Sequence, residues 1–299
     1  MRVGESIFWQ DSEQSILDIV SELDNEHKCE TIHNLLHIVN WFDSDGTKKL
    51  DTVQSTTLKS MQAARQFLAI QGTSSRVDLA SITLEEDCRI VPQGVDELLV
   101  LKRDATSIEG FEITRKLPLV FDLIDLADES QTLADFVIYT NSDICLQPNF
   151  YITVLDLLKL GFDSLIVNRR TIERKDEADF ATLASADIGK SHPGMDCFIF
   201  PRKWIGKFTR NNAVTGAGQV NRGLFLNLVA QANSLLVLTA ANLTYHYGDD
   251  RPWTSSQMKE YEIHNRNEAR CTYNTLLKNP ALQYKLDVFL DVFSKYKPI

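Results

Sequence analysis

The sequence has few cysteines, the residues that stabilise small secreted proteins as disulfides and zinc domains as metal ligands. Its 299 residues include five cysteines, an odd number, and no two of them have the C-x-x-C spacing. The scattered cysteines therefore predict neither a disulfide framework nor a zinc site. A reduced, cytoplasmic setting is the default expectation.

Long apolar runs are also missing. The N-terminal stretch from Met1 to Asp11 has no long apolar core, and no run elsewhere approaches the length of a membrane span. We therefore expect neither a signal peptide nor a transmembrane segment.

An excess of positive charge is absent as well. The formal net charge is -10 and the sequence pI is near 5.1. This acidity argues against nucleic acid as a partner, and against a broadly anionic membrane as the main one. With 43% hydrophobic residues the chain can bury a sizeable core, as one large domain or two small ones.

Strand-like and helix-like segments alternate along the chain. Helices are predicted over 11–24, 52–70 and 224–232 and after Pro118 and Asn149, and strands over 35–42, 77–83, 136–139, 165–167, 197–200 and 235–239. Residues 84–116 read as an irregular surface excursion, and 169–179 as a charged loop or short helix. The alternation predicts an α/β protein with a doubly wound, mostly parallel sheet.

The domain organisation follows from the same pattern. Residues 1–253 are predicted to form one catalytic α/β domain, with 1–30 as an N-terminal helical extension. Residues 254–299 are amphipathic and are predicted to form a C-terminal helical tail. The tail leaves open a homodimer or a peripheral membrane contact.

An acidic tip follows the strand predicted at Phe136 to Tyr139. This apolar run ends in Asn141, Ser142 and Asp143, and ligands in open α/β sheets bind beyond the carboxyl ends of the strands. A carboxylate there is a good ligand for Mg²⁺ or Mn²⁺. The alternative is that Asn141 and Asp143 cap the next helix or form an Asx turn.

A second candidate segment is Thr244-Tyr-His-Tyr-Gly-Asp-Asp-Arg-Pro-Trp253. In it, His246 offers a nitrogen ligand for the same metal, and Arg251 offers a planar fork for a phosphate. The alternative for His246 is a hydrogen-bonded core histidine.

Together the two segments resemble the GT-A-fold glycosyltransferases that depend on nucleotide sugars. The late segment is also similar to the His-x-x-Gly-x-x-Lys-Pro-Trp motif of the glycogenin-like branch. The resemblance implies a GT-A-like sheet, a nucleotide diphosphate sugar as donor, and Mn²⁺ or Mg²⁺ as cofactor. It further implies that Asp143 and His246 are metal ligands and that Arg251 contacts the diphosphate.

The sequence departs from the family pattern in two places. Asn141 stands where the Asp-x-Asp motif has its first acid, which weakens one anionic ligand or ribose contact. Asp249 and Asp250 separate Gly248 from Arg251, and both are acidic, so they would face the metal or the acceptor.

The segment His192-Pro-Gly-Met-Asp-Cys-Phe-Ile-Phe-Pro-Arg202 resembles the inner strand beside the donor sugar in uncharacterised bacterial GT-A-like proteins. If the enzyme inverts, a carboxylate must accept the acceptor proton, and Asp196, Asp249 and Asp250 are the candidates. The alternative for Asp196 is an ion pair with Arg169, Arg170 or Arg202.

The donor nucleotide is expected at the ends of the first strands. Asn40 and Lys116 are the candidates for it, whereas Trp41 is predicted to be core. The glycines of the segment 215–223 fit neither G-x-G-x-x-G nor the P-loop, and predict a turn into the next helix near the acceptor.

The sequence as a whole predicts a metal-dependent glycosyltransferase acting on a hydroxyl of a glycan, a lipid-linked glycan or a small molecule. A nucleotidylyltransferase is one alternative, but 43–49 is a poor match to the Gly-rich basic loop of such enzymes. A non-catalytic GT-A-like scaffold is the other, because Asn141 replaces an acid.

Overall fold

A computed structural model describes residues 2–3, 6–10, 18–19, 32–44, 46–173, 186–248 and 255–292. Within them the strands form one sheet, with the main order β1-β2-β10-β8-β9-β6-β3-β4-β5. The strands are β1 (Arg2–Val3), β2 (Ile7–Gln10), β3 (Leu35–Val39), β4 (Val77–Thr83), β5 (Glu97–Val100), β6 (Phe136–Thr140), β7 (Ile144–Leu146), β8 (Ser164–Ile172), β9 (Lys190–Pro201), β10 (Leu235–Leu238) and β11 (Thr244–Tyr247).

The sheet is mostly parallel and is interrupted by one long antiparallel strand. β5, β4, β3 and β6 run parallel to one another, as do β8, β10 and β2. β9 lies between these two groups and is antiparallel to both β6 and β8. The carboxyl ends of the two parallel groups therefore meet at one edge, on either side of the start of β9.

Helices cover both faces of the sheet. They are α1 (Thr52–Ile70), α2 (Val120–Glu129), α3 (Phe150–Lys159), α4 (Arg222–Gln231), α5 (Lys259–Leu276) and α6 (Pro280–Val292). α1 and α3 pack with one set of strand side chains, and α2, α4 and α6 pack with the opposite set. This confirms the predicted α/β class, the doubly wound sheet and the helical C-terminal region.

Local sequence signals explain several element boundaries. Asp51 begins α1 by accepting a hydrogen bond from the Gln54 amide, as an N-cap residue should. Gly161, just past α3, has a φ of 103°, a left-handed conformation that glycine adopts without strain. The spans predicted at 52–70 and 77–83 match α1 and β4.

Other predicted boundaries are wrong. The first core strand stops at Val39 rather than at residue 42, and the irregular excursion at 84–116 contains the edge strand β5. Pro118 precedes α2 instead of lying in its first turn, because Leu119 is extended and forms a bridge with Val214. Residues 169–172 belong to β8. Most of the helix predicted at 11–24, and residues 174–185, lie outside the described residues.

Candidate functional site

One cleft of about 810 Å³ opens where the carboxyl ends of the parallel strands meet. All the predicted site residues that the structure describes line this cleft: Asn40, Lys116, Asn141, Asp143, Asp196 and His246. They come from five separate segments of the chain. The candidates Asp249, Asp250 and Arg251 lie outside the described residues.

Asp143 and His246 are brought together by two short strands. Asp143 ends the turn after β6, in which the Ile144 amide donates to the Asn141 carbonyl over 3.2 Å. β7 then pairs with β11, so that His246 lies opposite Ile144. The result is a distance of 3.1 Å between His246 Nε2 and Asp143 Oδ2.

The contacts of His246 restrict its protonation. Its Nδ1 lies 2.6 Å from the Gly248 carbonyl oxygen, and a carbonyl can only accept, so Nδ1 carries a hydrogen. A neutral His246 would therefore point the lone pair of Nε2 at the Asp143 carboxylate. Either a second proton on the ring or a cation shared by the two groups removes this conflict.

The Asp143 carboxylate is set up to stay ionised. Burial alone would raise its pKa, but the hydrogen bond from His246 and the charges of His246 and Arg169 lower the pKa below its ordinary value. Its Oδ1 is buried and has no hydrogen-bond partner in the described part of the chain. A buried carboxylate oxygen left in this state needs a donor or a cation.

These two side chains fit a hard divalent cation. Adjacent ligands of an octahedral ion with bonds of about 2.1 Å lie about 3.0 Å apart, close to the 3.1 Å between Nε2 and Oδ2. Over the residues described, no group of three or more His, Cys, Asp or Glu side chains could hold a metal ion. The pair therefore offers two ligands, and a bound ion would take its remaining ligands from elsewhere.

Asp196 forms an ion pair with Arg169, the first of its three predicted partners. Arg169 Nη1 lies 3.3 Å from Asp196 Oδ2, and the two side chains are 4% and 14% exposed. Burial raises the pKa of Asp196, while Arg169 opposes the rise and Asp143 adds to it. Arg170 and Arg202 bind backbone carbonyls instead.

Two further residues beside this ion pair were not singled out from the sequence. The ring of His192 lies beside Arg169, with 3.5 Å between Nε2 and Nη2, and its Nδ1 accepts from the Gly194 amide over 2.9 Å. A Cβ on Gly194 would lie 2.8 Å from His192 Nδ1 and 3.1 Å from Asp196 Oδ2. Gly194 therefore lets these two side chains approach each other.

The strand-end wall is the part of the cleft formed by Asn40, Asn141, Asp143 and His246. In it, the Asn40 side-chain amide donates to the Ile82 carbonyl over 2.8 Å. Tyr139 donates weakly to Asn141 Oδ1 over 3.4 Å. Trp41 is core, as predicted, at 1% exposure.

Lys116 lies beyond the strand-end wall and has an acidic partner. Its Nζ is 2.7 Å from Glu86 Oε1, and both side chains are exposed. Phe42, which also lines the cleft, is 42% exposed and was not expected to contribute. An exposed aromatic ring, a cation and an amide in one cleft are groups suited to a nucleobase and a phosphate.

The turn wall is the opposite part of the cleft, formed by residues 215–221. Helix α5 holds this segment through Asn265, whose side chain is fully buried. Asn265 Oδ1 accepts from the Val214 amide over 2.7 Å, and Nδ2 donates to the Val214 and Gly218 carbonyls over 2.9 and 3.1 Å. The predicted turn into a helix is thus present and lines the cleft.

Helix α5 also holds the segment that leads to Lys116. Tyr261 Oη accepts from the Arg115 amide over 2.9 Å and donates to the Ile113 carbonyl over 2.6 Å. Its ring stacks on Phe111 with 4.1 Å between ring centroids. The C-terminal helices are therefore part of the cleft's support.

No protein-family model matches the chain, and no curated protein matches it. Among solved structures it is similar to S. aureus TarS 1-349 in complex with UDP-GlcNAc, at 13% identity and a TM-score of 0.43, over 81% of this chain and 72% of that one. It is also similar to the catalytic domain of Drosophila beta1,4galactosyltransferase 7 in complex with xylobiose, at 10% identity and a TM-score of 0.43, over 78% and 81%.

A third similar structure is 4-diphosphocytidyl-2C-methyl-D-erythritolsynthase from Anaerococcus prevotii, at 8% identity and a TM-score of 0.37, over 77% of this chain and 95% of that one. Because these identities and TM-scores are low, we base the function below on the residues of this chain.

A separate finding concerns membranes. Of the helices in the described part of the chain, none combines the length and the apolar character needed to cross a bilayer.

Proposed function

We propose that the chain is a metal-dependent glycosyltransferase, which takes a sugar from a nucleotide diphosphate donor and passes it to a hydroxyl. The observation that carries the proposal is the Asp143 and His246 pair, 3.1 Å apart at the carboxyl end of β6 and inside the cleft. The Asp143 Oδ1 atom, buried without a donor among the described residues, supports a bound cation there.

In this proposal Asp143 and His246 hold Mn²⁺ or Mg²⁺. A bound ion acts as a Lewis acid on the leaving diphosphate. His246 donates its Nδ1 hydrogen in a hydrogen bond to the Gly248 carbonyl oxygen, so Nε2 stays available as a metal ligand. Asp249, Asp250 and Arg251 follow within three residues of Gly248, and we assign Arg251 to the diphosphate and the two acids to the metal or the acceptor.

The donor nucleotide is placed along the strand-end wall. Asn40 and Lys116 contact the nucleotide, and Asn141 contributes a neutral oxygen where an acid would bind more strongly. Glu86 competes for Lys116 in the absence of ligand. A cleft of about 810 Å³ is within the usual range of small-molecule sites.

Asp196 is proposed as the group that meets the acceptor hydroxyl or the sugar. In the transfer, the bond from the anomeric carbon to the diphosphate oxygen breaks and a bond to the acceptor oxygen forms. The acceptor proton passes to a carboxylate, for which Asp196, Asp249 and Asp250 are the candidates. Burial raises the pKa of Asp196, which strengthens it as a base, while Arg169 fixes its position.

The domain limits, the acceptor, the location and the partners of the protein are also proposals. The catalytic unit is placed at residues 1–253, in which β1 and β2 are strands of the sheet rather than part of a helical extension, and 254–299 form the tail. The acceptor is a glycan, a lipid-linked glycan or a small molecule, and nucleic acid is not a partner, given the net charge of -10. A cytoplasmic location, a homodimer and a peripheral membrane contact are further expectations.

Isothermal titration calorimetry of UDP and GDP, with and without Mn²⁺, tests the proposal. We expect one nucleotide to bind and its affinity to rise with Mn²⁺, because an ion held by Asp143 and His246 would offset the charge of the diphosphate. The proposal is wrong if neither nucleotide binds. If a nucleotide binds equally well with and without Mn²⁺, the metal has no part in nucleotide binding and that part of the proposal is wrong.

A further inference from the structure

Asn221 occupies the N-cap of α4 without capping it. Asparagine is among the preferred N-cap residues because its side-chain oxygen accepts a hydrogen bond from the first turn of the helix. The described residues show no such bond from Asn221. Its side chain lines the cleft instead, so that the usual reason for an asparagine at this position does not apply.

The orientation of the Asn221 amide is determined by Met195. Nδ2 donates to the Met195 carbonyl over 3.4 Å. The opposite orientation would place two acceptors against each other, because a carbonyl oxygen can only accept. The amide therefore faces Met195 with its nitrogen, and Oδ1 is on the other side.

The Oδ1 atom of Asn221 is buried and has no hydrogen-bond partner within the described ranges. The residue as a whole is 9% exposed. Such acceptors are rare in folded proteins and each needs an explanation. A ligand in the cleft that carries a hydrogen-bond donor would supply the partner.

The surroundings of Asn221 indicate what kind of donor would fit. Met195, which holds the amide, is followed by Asp196, and Phe198 and Phe225 also line the cleft. The Asp196 carboxylate is already balanced by Arg169. A neutral acceptor in a cleft with aromatic side chains and a paired carboxylate suits an uncharged hydroxyl on a compact ring.

The backbone before Asn221 is held in a strained conformation. Gln219 has a φ of 67°, a left-handed value that is uncommon for a residue other than glycine. Strain of this kind persists where the surrounding structure holds it. Here Asn265 of α5 holds the Gly218 carbonyl over 3.1 Å, so Asn221 follows a segment that is fixed in place.

We propose that Asn221 is a specificity-determining residue, whose Oδ1 accepts a hydrogen bond from a hydroxyl of the donor sugar. This inference rests on the proposed function, because it needs a sugar nucleotide in the cleft. According to this inference, Asn221 is the residue that makes the cleft bind a nucleotide sugar more tightly than the bare nucleotide. Metal binding at Asp143 and His246 is independent of it.

The test compares wild type, Asn221→Leu and Asn221→Asp by calorimetry with Mn²⁺. The probes are UDP, GDP, UDP-glucose, UDP-galactose, UDP-N-acetylglucosamine and GDP-mannose. In Asn221→Leu we expect the best nucleotide sugar to bind about tenfold more weakly, because its hydroxyl loses the acceptor. The bare nucleotide should keep its affinity. Asn221→Asp retains an acceptor oxygen but places a second one against the Met195 carbonyl, so it should keep part of the wild-type preference at a lower melting temperature.

Thermal unfolding separates this role from a structural one. Asn221→Leu removes an acceptor that has no partner and one long hydrogen bond, of 3.4 Å to the Met195 carbonyl, so its melting temperature should fall only slightly. In contrast, Asn211→Leu removes a buried amide that bonds both Thr272 and the Ala213 amide, and should lower the melting temperature.

The outcomes separate the two proposals. If wild type binds no nucleotide or nucleotide sugar, the proposed function fails and the role of Asn221 fails with it. If wild type binds a nucleotide sugar and Asn221→Leu binds it equally well, only the role of Asn221 is overturned. An equal loss for the bare nucleotide would also overturn it, since the sugar hydroxyl would not be the group recognised.

Discussion

The two walls of the cleft are built in different ways. The strand-end wall follows directly from the sheet, because Asn40, Asn141 and Asp143 come just after β3 and β6, and β11 carries His246. The turn wall at 215–221 is held from outside by α5, through the hydrogen bonds of the buried Asn265, about fifty residues away in sequence, and through the packing of Tyr261 with Val214 and Ala217. The first wall depends on strand pairing, and the second on a single helix that docks beside it.

The largest expected effect is on the strand-end wall. Asp143→Ala and His246→Ala should each lower the Mn²⁺-assisted affinity for the nucleotide by about 100-fold, because each removes a proposed metal ligand. Calorimetry with and without Mn²⁺ measures this effect. Asp156→Ala on α3, whose side chain is 59% exposed, is the matched control and should bind as wild type does. Unchanged metal assistance in both variants would contradict the assignment.

A second expected effect concerns the start of β9, between the two walls. Gly194→Ala places a Cβ 2.8 Å from His192 Nδ1 and 3.1 Å from Asp196 Oδ2, and should shift the Arg169 ion pair. We expect sugar transfer or donor hydrolysis to fall by about tenfold or more, with stability lowered by about 1–3 kcal/mol.

The control for this substitution is Gly206→Ala, where an added Cβ meets no atom within 4 Å in the described structure. It should leave turnover and the melting temperature close to the wild-type values. If the two alanine variants had the same turnover and melting temperature, the close approach of His192 and Asp196 at Gly194 would matter for neither.

The turn wall is addressed by Asn265→Ala. The substitution removes three hydrogen bonds to the backbone of residues 214–218 and should cost about 2–3 kcal/mol of unfolding free energy. Discrimination among nucleotide sugars should weaken, while metal-assisted binding of the bare nucleotide is retained. Urea denaturation and calorimetry measure the two effects.

Asn267→Ala on the same helix is the matched control, because Asn267 is exposed. It should change neither the unfolding free energy nor the nucleotide-sugar preference. If Asn265→Ala behaved like Asn267→Ala, the turn wall would not depend on α5.

The smallest effect concerns a buried histidine beneath the strand-end wall. His37 Nε2 lies 2.8 Å from Thr140 Oγ1 and Nδ1 lies 2.8 Å from the Tyr151 hydroxyl. Burial lowers the pKa of His37 to about 3. The unfolded chain therefore binds a proton near pH 6.5 that the folded chain does not, and stability falls as the pH decreases from about 6.5 towards 3.

The expected loss is about 1.4 kcal/mol for each pH unit in that range. His37→Gln keeps hydrogen-bonding groups but does not titrate there, so its stability should fall less steeply than that of wild type. Urea denaturation at pH 7 and pH 5.5 measures the difference. Parallel pH dependence in the two proteins would show that His37 does not contribute to it.

The contrast between the walls also explains what the sequence could predict. Strands with continuous apolar runs, such as Phe136–Thr140, and the polar residues just after them are visible as local patterns. The residues of the strand-end wall were therefore named in advance. Asn141 and Asp143 lie before β7 rather than capping α3, whose N-cap is Asn149.

The rest of the cleft depends on long-range contacts that leave no local pattern. Asn265 lies in an ordinary amphipathic helix, and only the fold shows that it bonds Val214 and Gly218. β5 was missed because it is a four-residue edge strand whose exposed side chains, Leu98 and Val100, are apolar, so its sequence shows no alternation of polar and apolar residues. Asn221 has one partial signal, an asparagine at a helix start, but that signal predicts a cap rather than a ligand contact.

The central claim is that this cleft transfers a sugar from a nucleotide diphosphate donor with the help of a metal ion. Product analysis after incubation with nucleotide sugars and Mn²⁺ tests it most directly, because donor hydrolysis needs no known acceptor. We predict release of the nucleoside diphosphate and the free sugar, abolished in Asp143→Ala. Release of pyrophosphate from a nucleoside triphosphate and a sugar phosphate would indicate a nucleotidylyltransferase instead, and nucleotide binding without any free sugar would indicate a scaffold; either result would contradict the account.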